Sequence, residues 1–261
     1  MLWAVISDLH ANRQALEAVL ANARQQGATH YALLGDFVGY GADPGWVLDQ
    51  VMDLVRHHGA VVVRGNHDEA VAAGSHAQMH PDARAVIDWT RAQLSEAQLS
   101  FLKELPLSVR TGPEAGDCLF VHANAYNPAG WDYVQGRAEA VQSLLAVPAR
   151  VQFCGHMHEP MLFHVSGTGK AGDFHPQADV LMPLPAHRQW LAIPGSCGQP
   201  RDGNPAACYA LFKPGMSPQE DAQLRFMRVP YDVEAAVAAL HATAMPAEVV
   251  QRLARRLQTG E

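Results

Sequence analysis

The chain has 261 residues, of which 48% are hydrophobic and 17% are charged, and this composition excludes an intrinsically disordered protein. The formal net charge is -7 and no stretch is rich in Lys or Arg, so we do not expect stable binding to nucleic acid. A small anionic substrate is compatible with this charge, because bound metal ions would dominate the local field.

The cysteines and the first residues bear on where the protein acts. The four cysteines, Cys118, Cys154, Cys197 and Cys208, include no CxxC pair, and we expect all of them to be reduced. The first predicted strand begins at Leu2, and no basic segment, long apolar segment or cleavage site precedes it, which argues against a signal peptide. No apolar run approaches the ~20 residues of a membrane helix. We therefore expect a cytoplasmic protein without membrane contacts.

Short apolar runs alternate with helical patterns in the first part of the chain, which predicts a β-α-β-α-β order. The predicted strands cover residues 2–6, 31–34 and 60–63, and the predicted helices between them cover 12–26 and 43–58. Asn12 is a suitable N-cap for the first helix. Asp43 and Pro44 have the residue types of an N-cap and a first helical position, and Gly59 follows the end of the second helix.

The pattern from residue 69 to 105 is helical, with Pro81 at one helix start and a capping box from Ser95 to Gln98 at another. The elements predicted after it are strands over 107–110, 118–121 and 151–153, and a helix over 137–146.

The second half is mostly β in character. Glycine, proline and short apolar segments over residues 160–190 indicate hairpin strands, which we expect to form an insertion near the site. Further strands are predicted over 207–212 and 224–229, and two C-terminal helices over 231–261. We expect one domain over residues 1–261, an α/β fold with two packed sheets covered by helices.

Five predicted strands are each followed at once by residues of the types that bind metals. These are Asp8-Leu9-His10, Gly35-Asp36, Gly65-Asn66-His67-Asp68, His122, and Gly155-His156-Met157-His158. Ligands of α/β sheets bind beyond the carboxyl ends of the strands, so we expect these residues to meet at one edge. Carboxylates, an amide and histidines suit divalent Mn, Fe, Zn, Co or Ni. The number of ligands suits two ions that share one carboxylate.

These motifs, taken in order, resemble those of the calcineurin-like metallophosphoesterase superfamily. The stretches Gly35 to Gly41 and Pro194 to Gly203 are similar to those of its small bacterial and archaeal phosphodiesterase-like branch. The resemblance implies a four-layer αββα sandwich of two mixed β-sheets flanked by helices. It also implies hydrolysis of a phosphoester by a hydroxide that bridges two divalent metal ions.

The resemblance also implies a role for each motif residue. One ion would be held by Asp8, His10 and His158, and the other by Asn66, His122 and His156. Asp36 would bridge the two ions. His67 would donate a proton to the leaving oxygen or contact a phosphate oxygen, and Asp68 is a loosely supported partner for orienting His67.

One motif departs from the pattern of phosphoprotein phosphatases, G-D-x-V-D-R-G. Gly39 and Tyr40 stand where that pattern has an aspartate and a phosphate-binding arginine, which argues against a serine/threonine phosphatase. Arg201 is a hypothetical source of the missing guanidinium.

Other residues have weaker signals. Tyr40, Asn124 and Tyr126 are further candidates for substrate binding, although loop packing explains Asn124 and Tyr126 equally well. We interpret Arg252, Arg255 and Arg256 as a solvated helix face.

The leading hypothesis is a metal-dependent phosphodiesterase or phosphatase that acts on a phosphodiester or another small phosphorylated molecule. An alternative is a dinucleoside polyphosphate hydrolase of the diadenosine tetraphosphate type. A third reading is a non-catalytic interaction protein on the same fold, as in the retromer subunit with this architecture, but every ligand position is filled here. The sequence does not indicate the oligomeric state.

Overall fold

Two six-stranded sheets form the centre of the fold in the computed structural model, which describes residues 1–75, 80–217 and 219–261. The strands of the described residues are β1 (Trp3–Ile6), β2 (His30–Leu33), β3 (Val61–Val62), β4 (Ser108–Arg110), β5 (Cys118–Val121), β6 (Val151–Phe153), β7 (Pro160–Ser166), β8 (Ala171–Phe174), β9 (Leu181–Leu184), β10 (Arg188–Pro194), β11 (Ala207–Lys213) and β12 (Ala222–Val229). The α-helices are α1 (Arg13–Gln25), α2 (Pro44–His58), α3 (Asn66–Ala73), α4 (Pro81–Ala92), α5 (Glu96–Glu104), α6 (Arg137–Ala146), α7 (Val233–His241) and α8 (Ala247–Thr259). Residues 76–79, within the stretch predicted as helical, lie outside the described residues.

Both sheets are mixed. The first has the order β3-β2-β1-β11-β12-β9 and the second has the order β4-β5-β6-β10-β7-β8. Strands β1, β2 and β3 are mutually parallel in the first sheet, and β5, β6 and β10 are parallel in the second. The carboxyl ends of each parallel set therefore lie at one edge of their sheet, which is where the sequence places the candidate ligands.

The two sheets face each other across an apolar core. The rings of Trp3 and Phe120, which belong to different sheets, lie 5.5 Å apart between centroids. Phe153 of β6 meets Phe212 of β11 at 5.1 Å, and Phe153 also stacks on Phe120 at 5.5 Å. All four side chains are buried. This layer fixes how the two sheets sit against each other.

Helices cover the outer face of each sheet. Leu16 and Val19 of α1 pack in a core with Tyr209 of the first sheet, and α2 joins the same core. On the second sheet, Leu144 of α6 packs in a core with Leu191. The expected four-layer αββα sandwich is thus confirmed, because each sheet has one face on the other sheet and one face on helices.

Most of the helix-capping residues predicted from the sequence have that role in the structure. The Asn12 side chain accepts a hydrogen bond from the Ala15 amide at 3.1 Å and caps α1. Pro44 occupies the first turn of α2, and Gly59 ends that helix with a φ of 60°. Ser95 forms the predicted capping box at the start of α5. Asp43 precedes α2 without a capping hydrogen bond from its side chain, so its cap role differs from the expectation.

The segment 160–190 differs from the predicted insertion. Strands β7 and β8 form the expected hairpin, but they are the edge of the second sheet, while β9 pairs with β12 in the first. Ser166, at the hairpin turn, lies opposite Arg188 at the start of β10, whereas the site lies beyond the end of β10. The hairpin turn is therefore remote from the site, because the antiparallel pairing of β7 with β10 carries it to the other end of the sheet.

The four cysteines are buried and free. Among the described residues, no helix combines the length and apolar character that crossing a membrane requires.

We predict that Phe153→Ala lowers the free energy of unfolding by about 3–5 kcal/mol, because it leaves a cavity between the sheets. Equilibrium unfolding in urea measures this loss. Leu145→Ala is the control, since Leu145 is 65% exposed on α6 and its loss should have little effect. Similar losses in the two variants would contradict the inter-sheet packing.

Candidate metal centre

The candidate ligands, which come from strand ends in both sheets, meet at one place. Two groups of side chains each have ligand atoms that all lie within 4.8 Å of one another. The first group is Asp8, His10, Asp36 and His158, and the second is Asp36, His122 and His156. Asp36 belongs to both groups, so a single carboxylate joins two potential metal positions.

The first group is closely packed. The Nε2 atoms of His10 and His158 lie 3.0 Å apart. His158 Nε2 is 3.4 Å from Asp8 Oδ1, and His10 Nε2 is 3.7 Å from Asp36 Oδ2. Two imidazoles and two carboxylates therefore converge on a common centre.

The second group is built around His122. Its Nε2 atom lies 3.4 Å from Asp36 Oδ2 and 3.2 Å from the side-chain oxygen of Asn66. Asn66 is the first residue of α3, so its amide is delivered by the N-terminus of that helix. The structure thus places Asn66 with the second group, as the sequence motif suggests.

Backbone carbonyl oxygens fix the ring orientation of all four histidines. The contacts are His10 Nδ1 with Val38 O (3.3 Å), His122 Nδ1 with Leu34 O (2.6 Å), His158 Nδ1 with Gln199 O (2.6 Å) and His156 Nε2 with Trp131 O (2.9 Å). A carbonyl oxygen only accepts, so the contacting nitrogen carries the proton in each ring. The other nitrogen of each neutral ring is then an acceptor, which is the form that binds metal ions.

The pKa values of the site residues depart from their usual range. Burial lowers the pKa of His10 well below its usual value, with His158 acting in the same direction, and burial lowers that of His156 to about 4. Burial alone would lower the pKa of His122, but the Asp36 carboxylate outweighs it and raises the value to about 9. Burial would likewise raise the pKa of Asp36, yet His122 beside it holds the value well below normal. The proton on His122 is the one that a metal ion would displace.

The charge of the site favours cations. Asp8 and Asp36 are 0% and 1% exposed, and burying two carboxylates away from water is costly unless opposite charge accompanies them. His10 and His156, whose pKa values are lowered, supply no such charge, and the proton on His122 offsets only one of the two carboxylates. The donor set of carboxylates, imidazoles and one amide suits divalent transition ions, and its shared carboxylate suits a pair of them.

The backbone at the ligands is strained. Five of the seven candidate ligands have φ angles between 45° and 68°, namely Asp8, His10, Asp36, His156 and His158. This left-handed conformation costs roughly 1–2 kcal/mol for a residue with a side chain. Such strain concentrates at functional sites, where the surrounding structure enforces it.

Two glycines allow the site to close. A Cβ atom on Gly65 would lie 2.1 Å from Asp36 Oδ1, and one on Gly155 would lie 1.8 Å from Ser7 Oγ and 2.6 Å from Asp8 Oδ2. Any larger residue would therefore displace a carboxylate of the site. Each motif therefore requires glycine at this position, because a side chain would clash with residues of the metal site.

Sequence reasoning missed the role of the segment that follows β10. The Gly198 amide and the Ser196 hydroxyl both donate to the Asp8 carbonyl oxygen, at 2.9 and 2.8 Å. Gln199 supplies the carbonyl that orients His158. A strand end of the second sheet thus holds the first ligand loop in place. The stretch Pro194 to Gly203 was visible as a motif, but its backbone contacts have no sequence signal.

Asp68 does not orient His67, contrary to the tentative pairing. Its buried carboxylate accepts hydrogen bonds from the amides of Gly65 at 3.0 Å and Phe37 at 2.8 Å. It therefore caps the start of α3 through the Gly65 amide and, through Phe37, ties the Asp36 loop to that helix. Burial, with Asp36 nearby, raises the pKa of Asp68 to about 7.

His67 lies at the edge of the metal centre. Its amide donates to Asp36 Oδ1 at 2.9 Å, which places it directly beside the shared carboxylate. Its ring lies 4.4 Å from the Tyr40 ring and 5.0 Å from the His10 ring. Burial lowers the pKa of His67. Tyr40 thus occupies the position beside His67 that the sequence motif suggested for a substrate contact.

Arg201 lies close to the same two residues. Its amide donates to the His158 carbonyl at 3.3 Å, and its guanidinium makes a long hydrogen bond of 3.4 Å to Gln199. Burial lowers the pKa of His67 and the charge of Arg201 adds to this, whereas burial raises the pKa of Tyr40 and the charge of Arg201 opposes it. The structure therefore brings Arg201 within electrostatic reach of the site.

The loop after His122 is only partly as expected. Asn124 is fully buried, and its amide group bonds to Asn127 N and Asp132 O at 2.8 Å each, so we exclude it as a substrate contact. Within the part of the chain that is described, Tyr126 makes no hydrogen bond to a site residue. Its position does not support a role in binding.

Tyr133 is a site neighbour that the sequence analysis missed. Its ring stacks on His156 at 4.1 Å while 43% of the residue is exposed. Trp131, which accepts the bond from His156, is anchored by its indole N–H to Glu69 at 2.9 Å. The only signal in the sequence is two aromatic residues shortly after a ligand, which is common in loops without function.

The comparisons with known proteins match ranges of the chain that include all the residues of this site. The sequence model of the calcineurin-like phosphoesterase superfamily domain matches residues 1–215. The uncharacterised protein MJ0912 of Methanocaldococcus jannaschii is 31% identical over 256 residues, 96% of each chain. A metallophosphoesterase structure from Sphaerobacter thermophilus has a TM-score of 0.83 at 32% identity, over 100% of both chains. The hypothetical protein PH1004 of Pyrococcus horikoshii OT3, at 19% identity, a TM-score of 0.74 and 97% of each chain, shows the same fold.

We predict that Gly65→Ala reduces bound divalent metal from about two ions per chain to one or fewer, because the methyl group would displace Asp36. Elemental analysis after dialysis against Mn²⁺ measures the content. Gly167→Ala is the matched control, since nothing lies within 4 Å of its added Cβ. Full metal content in Gly65→Ala would show that the Asp36 position is not decisive.

Proposed function

Because the chain belongs to the calcineurin-like phosphoesterase superfamily, we propose that it is a metal-dependent hydrolase of a phosphodiester or another small phosphorylated molecule. The observation that supports this most is the shared position of Asp36 between two groups of ligands. A carboxylate in that position suits two divalent ions held side by side.

The ligand geometry supports a division between two positions. Asp8, His10 and His158 would hold one ion, Asn66, His122 and His156 the other, and Asp36 both. Such ions supply an activated water and offset the negative charge of the phosphoryl oxygens. We expect Mn, Fe, Zn, Co or Ni from the donor types.

His67 is the proposed proton donor to the leaving oxygen. Its lowered pKa keeps the free side chain mostly neutral at pH 7. An anionic phosphate beside the ring favours the protonated form, because opposite charges nearby stabilise it. The hydrogen bond from the His67 amide to Asp36 would hold the residue beside the phosphoryl group.

Arg201 and Tyr40 are the proposed contacts to the non-bridging phosphoryl oxygens. Tyr40 stands where phosphoprotein phosphatases have an arginine, and Arg201 places a guanidinium close to it. A dinucleoside polyphosphate substrate is the alternative to a simple phosphodiester. A purely structural role is disfavoured, because such a protein has no need of four histidines kept in the metal-binding tautomer.

We predict that the protein hydrolyses bis-p-nitrophenyl phosphate when loaded with Mn²⁺ or Co²⁺. His67→Ala should reduce kcat by about 10²–10⁴-fold, the usual contribution of a positioned acid, with metal content retained. Asp36→Ala should abolish activity together with metal binding. Absence of hydrolysis with every divalent metal tested would refute the proposed activity.

We predict that Arg201→Ala raises KM or lowers kcat for the same substrate by about tenfold or more, because a charged hydrogen bond to the phosphoryl group is lost. Steady-state kinetics and elemental analysis of the variant separate this from loss of metal. Unchanged kinetics would remove Arg201 from the site.

A further inference from the structure

A cleft of about 450 Å³ opens directly beside His67, between α4 and α8. Asn66 and His67 are among the residues that line it. Cavities of this size bind molecules such as a nucleoside, and their walls are usually apolar with a few polar groups at defined positions. Because the cleft adjoins the proposed proton donor, a leaving group would extend into it.

The walls of the cleft are apolar. Val86 and Ile87 of α4 form one side, and Val249 and Leu253 of α8 form the other. These residues belong to the buried clusters that join the C-terminal helices to the rest of the fold. The facing surfaces of two helices suit a flat hydrophobic body, since an aromatic ring buries a large area without polar partners.

Two arginines of α8, Arg252 and Arg256, line the same cleft and are exposed, in agreement with the interpretation of a solvated helix face. Arg252 forms an ion pair with Asp82 of α4. Arg256 has no side-chain hydrogen bond or ion pair within residues 1–75, 80–217 and 219–261. Residues 249, 252, 253 and 256 follow helical spacing and so share one face, whereas Arg255 is outside the cleft.

Arg256 and Tyr40 both line the cleft, and the Tyr40 ring packs against His67. Burial raises the pKa of the Tyr40 hydroxyl, and the positive charges of Arg201 and Arg256 partly oppose that shift. A guanidinium from α8 thus lies beside the tyrosine that stands in the arginine position of the phosphoprotein phosphatase motif.

The cleft thus brings together three kinds of group: the imidazole of His67, the cation of Arg256 and the apolar faces of α4 and α8. A nucleotide leaving group would use all three, through its bridging oxygen, its phosphate and its base. We propose that the cleft binds a nucleotide leaving group, with its phosphate on Arg256 and its base between α4 and α8, so that the substrates are nucleoside polyphosphates. This inference rests on the proposed phosphoesterase function and selects its phosphoanhydride form.

The reaction consumes one water and needs no other reactant. The water oxygen forms a bond to the attacked phosphorus, and the bond from that phosphorus to the bridging oxygen breaks. The bridging oxygen keeps the electron pair, takes a proton from His67 and leaves as part of the nucleotide phosphate, whose remaining negative charge Arg256 offsets. The water loses one proton to solvent when it attacks, and solvent returns one proton to His67.

Kinetics of the Mn²⁺-loaded protein test the role of Arg256. Arg256→Gln should lower kcat/KM for diadenosine tetraphosphate by about 10- to 100-fold, as expected for loss of a charged hydrogen bond. The loss on bis-p-nitrophenyl phosphate, which has an aromatic leaving group without phosphate, should be at least tenfold smaller. Arg255→Gln is the matched control and should leave both substrates unaffected. Equal losses on the two substrates, or none, would overturn the assignment.

A binding measurement on the metal-free protein tests the cleft without catalysis. Calorimetry should show adenosine diphosphate binding about tenfold more tightly than ribose 5-diphosphate, because the two ligands carry the same diphosphate and only the former has a base to bury. Ala83→Trp, at an exposed position that lines the cleft, should remove this preference, while Arg84→Trp, next to it and outside the cleft, should not. Equal binding of the two ligands, or a preference that survives Ala83→Trp, would refute the base-binding role.

The two experiments separate the inference from the proposed function. Hydrolysis of bis-p-nitrophenyl phosphate without any preference for adenosine diphosphate would leave a phosphoesterase whose cleft does not bind nucleotides. Preference for adenosine diphosphate without hydrolysis of any phosphoester would leave a nucleotide site but refute the hydrolase. A third substrate, the dinucleotide adenylyl-adenosine, distinguishes anhydride from diester, and faster cleavage of this dinucleotide than of diadenosine tetraphosphate would contradict the phosphoanhydride assignment.

Discussion

The buried carboxylate of Asp36 is the constraint from which the rest of the structure follows. It lies between two groups of histidines, and its neighbour Asp8 adds a second carboxylate out of contact with water. A protein cannot keep such charges buried without cations or protons to match them. Without metal ions, the proton on His122, whose pKa is raised, compensates only part of this buried negative charge. Two divalent ions would compensate it fully, and the histidine rings have the orientation that metal binding requires.

Bringing these groups together imposes costs on the backbone that only a rigid frame can sustain. The ligands come from the ends of strands in two different sheets, so the sheets must be locked against each other, as the contact between Phe153 and Phe212 achieves. The left-handed φ angles at Asp8 and Asp36 are unfavourable for residues that have a Cβ atom. They persist because backbone hydrogen bonds on both sides hold them, for example from Gly198 to the Asp8 carbonyl.

The sequence predicted what depends on local pattern and order along the chain. Strands, helices, the capping box at Ser95 and the convergence of the ligand motifs all follow from periodicity, end signals and parallel strand ends. What it could not predict depends on which backbone atoms lie opposite one another. The carbonyl of Gln199 that orients His158 comes from a residue 41 positions away, and any residue type offers the same carbonyl. Asp68 likewise looked like a partner for its neighbour, but the helix start turns its side chain back toward the Asp36 loop.

This rigidity explains why substrate selection would fall to α4 and α8. Around Asp36 the His67 amide bonds to the carboxylate and Gly65 is sterically required, so that region can change little without losing the ligands. Positions such as Arg256 and Ala83 are exposed and take no part in holding the ligands, so the residue type at these positions can change to suit a different substrate. A binding determinant on a surface helix is also indistinguishable in sequence from a solvated face, because both show the same helical spacing of charge. The strand ends therefore account for the chemistry, and the helices beside them account for the choice of molecule on which it acts.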